Sequence, residues 1–261
     1  MTVTAPVGPL LRDWRQRRRL SQLDLALEAG VSARHVSFVE TGRSRPSPEM
    51  VLHLAEHLEV PLRERNRLLL AAGYAPRFGQ HDLDDPELQP VRDALQLVLD
   101  AHDPFPANVV DRKYELGAAN AGLLALLDGV DPELLAPPVN VLRIALHPDG
   151  IAPRVVNFGE WRAHLLDRLA RQVQHSADER LAALYDECAG YPGPAHDHDT
   201  TDPVHEVATP LRIQVGDEVW SFISTIATFG TATDVTVAEL AIESFFPADA
   251  ATKAAVLARA T

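Results

Sequence analysis

Residues 21–42, SQLDLALEAGVSARHVSFVETG, carry the signals of two short helices separated by a tight turn. Ser21 is a typical N-cap residue, and Asp24, three positions later, completes a capping box for the first helix. Gly30 has the conformational freedom that ends a helix, and Ser32 caps the next one. Two helices joined by a short glycine-containing turn form a helix-turn-helix, whose second helix fits the major groove of DNA. The segment therefore predicts a DNA-binding unit.

The flanking sequence extends this unit to five short helices between Leu10 and Gly73. Ser47 followed by Pro48 pairs an N-cap with proline at a first helical position, and Pro61 opens the fifth helix. Apolar residues at helical spacing predict one small core for all five helices. The apolar residues expected to be buried by the first helix of the motif are Leu23, Leu25 or Ala26, and Leu27.

The charge of the chain is divided between two regions. The 261 residues carry a net charge of −13, which taken alone argues against a nucleic-acid partner. Residues 1–80 hold 12 arginines and 8 acidic residues, a net charge of +4, whereas residues 81–261 carry −17. Such an asymmetry predicts two separate functions, of which the first involves a polyanion and the second does not.

The helical region resembles the Cro/repressor-type (XRE) helix-turn-helix family. The resemblance rests on the phrases LSQLDLALEAGVS, VETGRSRPS and LAEHLEVP, which begin at residues 20, 39 and 54. It implies an all-α domain of five helices that binds double-stranded DNA. It also implies that Arg15 and Glu40 form a buried structural ion pair. The residues to which the resemblance assigns DNA contacts are Gln22, Ser32, Ala33, Arg34, Ser37, Phe38, Arg43 and Arg45.

These positions have different expected roles. The resemblance makes Gln22, Arg43 and Arg45 phosphate contacts, which give affinity without reading sequence. Ala33 departs from the family's common glutamine, and Phe38 is apolar, so both indicate contact with thymine methyl groups. Arg34 is then the candidate for reading guanine.

Residues 75–90, APRFGQHDLDDPELQP, are acidic and interrupted by proline, which predicts a linker. The region beyond it mixes helices and strands. ANVVDRKYELGAAN predicts two short strands, and VLRIALHPDG fits a strand or a helix equally. Near the end, residues 211–215 and 220–227 alternate around a Gly216-Asp217 turn, and Thr236–Phe246 predicts a further strand with Glu239 and Glu243 on its polar face. These features predict an α+β domain with an antiparallel sheet.

This second region resembles a PAS domain at FPANVVDRKYELGAAN. With ELLAPPVNVLRIALHPDGIAPRVVNFGEWRAHLL it resembles the C-terminal part of MmyB-like regulators of high-GC bacteria. The resemblance implies a PAS-like module that binds fatty-acid-type ligands. Apolar side chains would line such a pocket, and an arginine would meet a carboxylate. The candidate pocket residues are Arg143, Arg154, Phe158, Trp161, Arg162, Leu165, Trp220, Phe222 and Ile226.

Catalytic and metal sites find little support in the sequence. It contains no nucleophile elbow, P-loop or dinucleotide-binding glycine pattern, so we expect no enzyme, no catalytic residue and no cofactor. The histidines and aspartates of residues 196–199, with His205, lack a known metal-binding frame, and we expect no metal. The single cysteine, Cys188, excludes an intrachain disulfide.

The sequence therefore predicts a DNA-binding domain over residues 1–74, a linker over 75–90 and a PAS-like ligand-binding or dimerisation domain over 91–261. We expect a homodimeric transcriptional regulator that binds double-stranded DNA and senses a small apolar ligand. We expect it to be cytoplasmic and nucleoid-associated, without a membrane partner. Two alternatives remain open for the second domain: a pure oligomerisation module with a filled core, or an enzyme fused to the DNA-binding unit.

Overall fold

A computed structural model of the chain describes residues 6–176, 178–194 and 209–259. The chain divides into two compact units. Unit 1 comprises Met1–His81 and Thr231–Ala238, and unit 2 comprises Asp82–Gly230 and Glu239–Thr261. The second segment of unit 1, Thr231–Ala238, therefore lies between the two segments of unit 2 in the sequence.

Five helices begin unit 1, and their ends carry the predicted signals. The Ser21 hydroxyl accepts from the Asp24 amide, and the Asp24 carboxylate accepts from the Ser21 amide, which confirms the capping box. Gly30 and Gly42 end their helices at φ 62° and 73°, in the left-handed region where glycine has no steric penalty. The five helices are α1 Val7–Arg17, α2 Gln22–Glu28, α3 Ala33–Glu40, α4 Pro48–His57 and α5 Leu62–Ala71.

These helices enclose a single apolar cluster, to which α2 contributes Leu25 and Ala26. The expected burial of its other two leucines is wrong. Leu23 is 58% exposed and Leu27 is 72% exposed. A helix of seven residues has only two turns, so one narrow stripe meets the core while the other leucines point to solvent.

Unit 2 contains an antiparallel sheet and most of the later helices. The stretch VLRIALHPDG, which fits a strand or a helix equally, begins with a helix, Val141–Leu146. Asn140 caps this helix, because its side chain accepts from the Leu142 and Arg143 amides. The elements after α5 are α6 Gln89–His102, β1 Ala107–Val110, β2 Leu116–Ala119, α7 Ala121–Leu126, α8 Val141–Leu146, α9 Phe158–Ser176, α10 Glu179–Gly190, β3 Leu211–Val215, β4 Glu218–Thr228, α11 Val235–Ala238, β5 Ala241–Pro247 and α12 Ala250–Arg259.

Among the described residues, the sheet has five strands in the order β2-β1-β5-β4-β3, and every neighbouring pair is antiparallel. Both faces of the sheet are covered. On one face Val109 and Ile242 pack with Leu95 and Leu99 of α6. On the other face, side chains such as Phe245 join the core that α8, α9 and α10 build. An α+β domain with an antiparallel sheet follows the helical domain, as predicted.

The connection between β4 and β5 belongs to unit 1. The Val235 amide donates to the Gly79 carbonyl at 2.8 Å, and His81 Nδ1 lies 2.8 Å from Asp234 Oδ2. The sequence prediction of one strand over Thr236–Phe246 is therefore wrong in its first part, because α11 precedes β5. Asp234 accounts for the helix, since its carboxylate accepts from the Thr236 amide at the helix start.

Candidate DNA-binding surface and ligand cavity

Helix α3 presents an arginine-rich surface around one aromatic ring. Arg34 and Arg43 are exposed, and their guanidinium carbons lie 5.1 and 5.8 Å from the centre of the half-buried Phe38 ring. Such distances allow cation–π attraction, which holds both cations beside the ring while their donors remain free for a partner. A cationic surface at the second helix of a helix-turn-helix suits a DNA groove and its phosphates. Ser32 is exposed, and Ala33 and Ser37 are half-buried on the same helix or its cap.

Two of the predicted DNA-contacting residues already have partners within unit 1. Gln22 Nε2 donates to Glu40 Oε2 at 2.8 Å. Arg45 donates to the Ala72 carbonyl through Nε and Nη2, at 3.2 and 2.9 Å, and its guanidinium lies 5.1 Å from the Tyr74 ring centre. These contacts tie Arg45 to the end of α5. Gln22 and Arg45 therefore have structural roles, and their phosphate contacts remain predictions.

The buried ion pair of Arg15 and Glu40 links α1 to α3. Arg15 Nε and Nη2 donate to the two carboxylate oxygens at 2.6 and 2.9 Å, and Nη1 donates to the Leu20 carbonyl. Burial alone would raise the pKa of Glu40, but its hydrogen bonds from Arg15 and Gln22 outweigh this effect and lower it. The pair fixes the orientation of α3, because both ends are held inside the core.

Unit 2 contains a cavity between the sheet and helices α7 to α9. Its empty space is about 690 Å³ when the opening to solvent is counted, and about 70 Å³ when only the space open to the centre of a water-sized molecule is counted. Of the nine predicted pocket residues, Trp161 and Leu165 line it. The complete lining is Asn108, Leu116, Leu123, Leu126, Leu127, Val141, Leu142, Ile144, Ala145, Ile151, Trp161, Leu165, Arg168, Leu211, Glu243 and Phe245.

The three arginines expected to meet a ligand have other partners. Arg143 forms a two-point ion pair with Glu187 at 2.7 and 2.8 Å. Arg154 and Arg162 each donate to a backbone carbonyl, those of Leu126 and Ala189 respectively. None of the three lines the cavity.

The four remaining predicted pocket residues also lie outside the lining. Phe158, Trp220 and Phe222 are buried in the apolar core of unit 2, where they pack against other side chains. Ile226 is 50% exposed on β4. Phe158, Trp220 and Phe222 are therefore core residues of this domain rather than walls of its cavity.

Three polar residues of the cavity were missed by the sequence analysis: Asn108, Arg168 and Glu243. Arg168 Nη1 donates to Glu243 Oε1 at 2.9 Å. The expectation that Glu243 lies on a polar strand face is wrong, because helices cover both sheet faces and Glu243 is buried. The spacing of α9 contained a signal for Arg168, since residues 161, 165 and 168 follow one helical face.

Burial and neighbouring charges shift the pKa values of the groups around this ion pair. Burial would lower the pKa of Arg168, but the neighbouring Glu243 carboxylate outweighs burial and raises it. The Tyr114 ring centre lies 5.4 Å from the Arg168 guanidinium, and burial raises the pKa of this phenol. His164 stacks on Trp161 with ring centres 5.5 Å apart, and burial lowers the pKa of its imidazole. The shifts of Tyr114 and His164 both favour the neutral form of the side chain.

Two features of the sequence were considered as a metal site or a reactive thiol: residues 196–199 with His205, and Cys188. Residues 196–199 and His205 lie outside the described residues. Within the described part of the chain, no cluster of three or more His, Cys, Asp and Glu side chains could hold a metal ion. Cys188 is buried, and burial raises the pKa of its thiol to about 12, which keeps it protonated and unreactive.

Comparison with known families matches both units. Residues 91–258 match the family model described as the MmyB-like transcription regulator ligand binding domain. The chain belongs to this MmyB-like family. Residues 11–65 match a helix-turn-helix family model. The MmyB-like chain therefore combines a helix-turn-helix region with the ligand-binding domain of a transcription-regulator family, as the resemblance implied.

A curated relative is also named as a helix-turn-helix protein. The chain is 36% identical over 75 residues to a protein of Bacillus subtilis (strain 168) named "Uncharacterized HTH-type transcriptional regulator RghRB". The match covers 28% of this MmyB-like chain and 52% of the relative, about half its length. Among the described residues, no helix is both long and apolar enough to cross a membrane.

Proposed function

We propose that the chain binds DNA as a homodimer and that a small apolar ligand in the unit 2 cavity controls this binding. Each α3 would enter the major groove at one of two half-sites, about 34 Å apart. The ligand acts only if it binds one arrangement of the dimer more tightly than another. The single observation that carries the ligand part is the cavity, whose lining is apolar except for Asn108, Arg168 and Glu243.

An apolar cavity with a few polar groups is the usual form of a small-molecule site. The polar groups lie on β1, α9 and β5, whereas leucine, valine and isoleucine side chains, half of them from α7 and α8, supply most of the remaining wall. A straight hydrocarbon chain fits such a wall because it needs no hydrogen bonds and buries its whole surface. This favours an acyl-type ligand with a polar head at the Arg168 end.

A cavity-filling substitution tests the proposed ligand site in the full-length protein. Ala145 lines the cavity on α8, and Ala163 is exposed on α9. We expect the neutral apolar dye N-phenyl-1-naphthylamine to bind the wild type, with enhanced fluorescence. Ala145→Phe should weaken its binding at least tenfold, whereas the matched variant Ala163→Phe should bind as the wild type does.

Native mass spectrometry of the purified protein tests the alternative that unit 2 is only an oligomerisation module. A dimer that carries a co-purified apolar molecule supports the proposal. A dimer without bound molecule, combined with no dye binding by the wild type, would instead identify unit 2 as an oligomerisation module.

The DNA-binding residues are tested by comparing Arg34→Ala with Arg43→Ala on selected and random duplexes. Arg34→Ala should cost about 1–3 kcal/mol on the preferred sequence and relax specificity at one base step. Arg43→Ala should weaken binding to all sequences alike, because a phosphate contact carries no sequence information. Equal losses on both duplexes for both variants would refute the assignment of Arg34 to base reading.

A further inference from the structure

Three side chains of the cavity wall carry buried polar atoms without a hydrogen-bond partner. Among the described residues, four buried side-chain atoms have none: His35 Nε2, Asn108 Oδ1, Trp161 Nε1 and Arg168 Nε. The last three belong to residues that line the cavity of unit 2. Buried polar atoms are almost always paired, so three exceptions around one cavity point to a ligand that pairs with them.

The unpaired atoms define the kind of head group that would satisfy them. Trp161 Nε1 and Arg168 Nε are donors, and Asn108 Oδ1 is an acceptor. A carbonyl oxygen accepts hydrogen bonds from donors of this kind. A neighbouring N–H or O–H group donates to the asparagine oxygen. A primary carboxamide carries both features, and so does a protonated carboxylic acid.

The charge of the wall disfavours an anionic head group. Arg168 and Glu243 are the charged members of the described lining, and their side chains pair at 2.9 Å. The positive charge of Arg168 is therefore already balanced. A carboxylate would add a negative charge in an apolar site without a cation of its own to pair with. Its oxygens can only accept hydrogen bonds, so it would also offer no donor to Asn108 Oδ1. Both effects oppose binding.

We propose that this cavity selects an acyl chain with a neutral head group, a carbonyl next to a hydrogen-bond donor as in a primary fatty amide, over a fatty carboxylate. The inference rests on the proposed ligand site and names the chemistry of that site. Fatty acids would bind in their protonated form, so their apparent affinity would fall as pH rises. An uncharged amide of equal chain length would show no such dependence.

The test displaces N-phenyl-1-naphthylamine from the full-length protein with decanamide and with decanoate. At pH 8 free decanoic acid is ionised, because a carboxylic acid has a pKa of about 4 to 5. We expect decanamide to bind at least tenfold more tightly than decanoate at pH 8. Lowering the pH to 6 should strengthen binding of decanoate and leave that of decanamide unchanged. The amide also serves as the control for titration of His164, Arg168, Glu243 and Tyr114.

Decanoate binding that equals or exceeds decanamide binding at pH 8 would overturn the inference. Dye binding in the wild type would still support the ligand site, so failure of the inference and failure of the proposed function are distinguishable. An affinity for decanoate that is independent of pH would also overturn it, because it would show that the cavity accepts the anion.

Substitution of the acceptor provides a second readout. Asn108→Leu keeps the approximate shape of the side chain and removes the oxygen that would accept from the amide. We expect the affinity of this variant for decanamide, taken relative to its own affinity for the dye, to fall about tenfold below that of the wild type. Gln174→Leu, at an exposed position of α9, is the matched control and should change neither. If Asn108→Leu does not fold, the comparison of ligands on the wild type still decides the inference.

Discussion

Each unit contains an ion pair of one arginine and one glutamate that is largely shielded from solvent, and the two pairs differ in how fully they are hydrogen-bonded. In unit 1, Arg15 uses Nε, Nη1 and Nη2 as donors, and Glu40 accepts a further bond from Gln22. In unit 2, Arg168 donates to Glu243 through Nη1, while its Nε has no partner within the described chain.

The difference separates a structural role from a recognition role. A pair whose three guanidinium nitrogens all donate within the protein fixes the packing of two helices. A pair with a free donor at a cavity wall retains an unsatisfied group that only a ligand or a trapped water can satisfy. The same two residue types therefore orient α3 in one unit and lie in the wall of a cavity in the other.

The largest expected effect comes from breaking the pair in unit 1. Arg15→Met leaves the Glu40 carboxylate buried without its cation, and we expect a loss of about 3–5 kcal/mol in the free energy of unfolding of unit 1. Urea unfolding followed by amide hydrogen exchange in α1 to α5 measures this loss. The matched variant Arg12→Met changes an exposed arginine on the same helix and should cost less than about 0.5 kcal/mol. Similar losses in both variants would show that the pair has no special role.

Replacing both members of each pair compares the two networks directly. Arg168→Met with Glu243→Leu removes both charges together, so unit 2 should keep its stability within about 1 kcal/mol. Arg15→Met with Glu40→Leu also deprives Gln22 of its acceptor, and unit 1 should lose about 1–3 kcal/mol. Amide exchange resolved by unit measures both. An equal cost for the two double variants would contradict the contrast.

The helices of unit 1 could be predicted because their signals are local. Ser21, Asp24 and Gly30 act within four residues of their own positions, and the structure confirms the capping box they predict. Burial within α2 could not be predicted in the same way. The side of a seven-residue helix that meets the core depends on the four other helices, so Leu23 and Leu27 were misjudged.

The cavity of unit 2 could not be predicted residue by residue, because it depends on contacts between distant segments. Arg143 and Arg162 were predicted to bind a ligand, yet Arg143 pairs with Glu187 and Arg162 donates to the Ala189 carbonyl. Arg168 and Glu243 are 75 residues apart and meet only when α9 packs on β5. Glu243 was assigned to a polar face because an alternating strand does not show that both faces of its sheet are covered.

A smaller effect distinguishes two arginines of the loop after α3. Arg45→Ala should lower the stability of unit 1 by about 1 kcal/mol, since it removes the bonds to the Ala72 carbonyl and the contact with Tyr74. Arg43→Ala should change stability by less than about 0.5 kcal/mol and act mainly on DNA affinity. Thermal unfolding and DNA binding, measured on the same preparations, separate the roles. A stability loss for Arg43→Ala equal to that of Arg45→Ala would contradict this division.

The smallest expected effect is the pH dependence of unit 1. The lowered pKa of Glu40 means that its ion pair stabilises the folded state above pH 4.5, the ordinary value, and that this contribution is lost as pH falls through the lowered pKa. Glu40→Gln has no carboxyl group to titrate at this position. When the free energy of unfolding of each protein is compared with its own value at pH 7, that of the variant should therefore fall less steeply below pH 4.5. Some dependence should persist, because the Ser21 cap also lowers the pKa of Asp24. Amide exchange between pH 3 and 6 measures the slopes, and identical slopes in wild type and variant would show that Glu40 titrates no differently when folded.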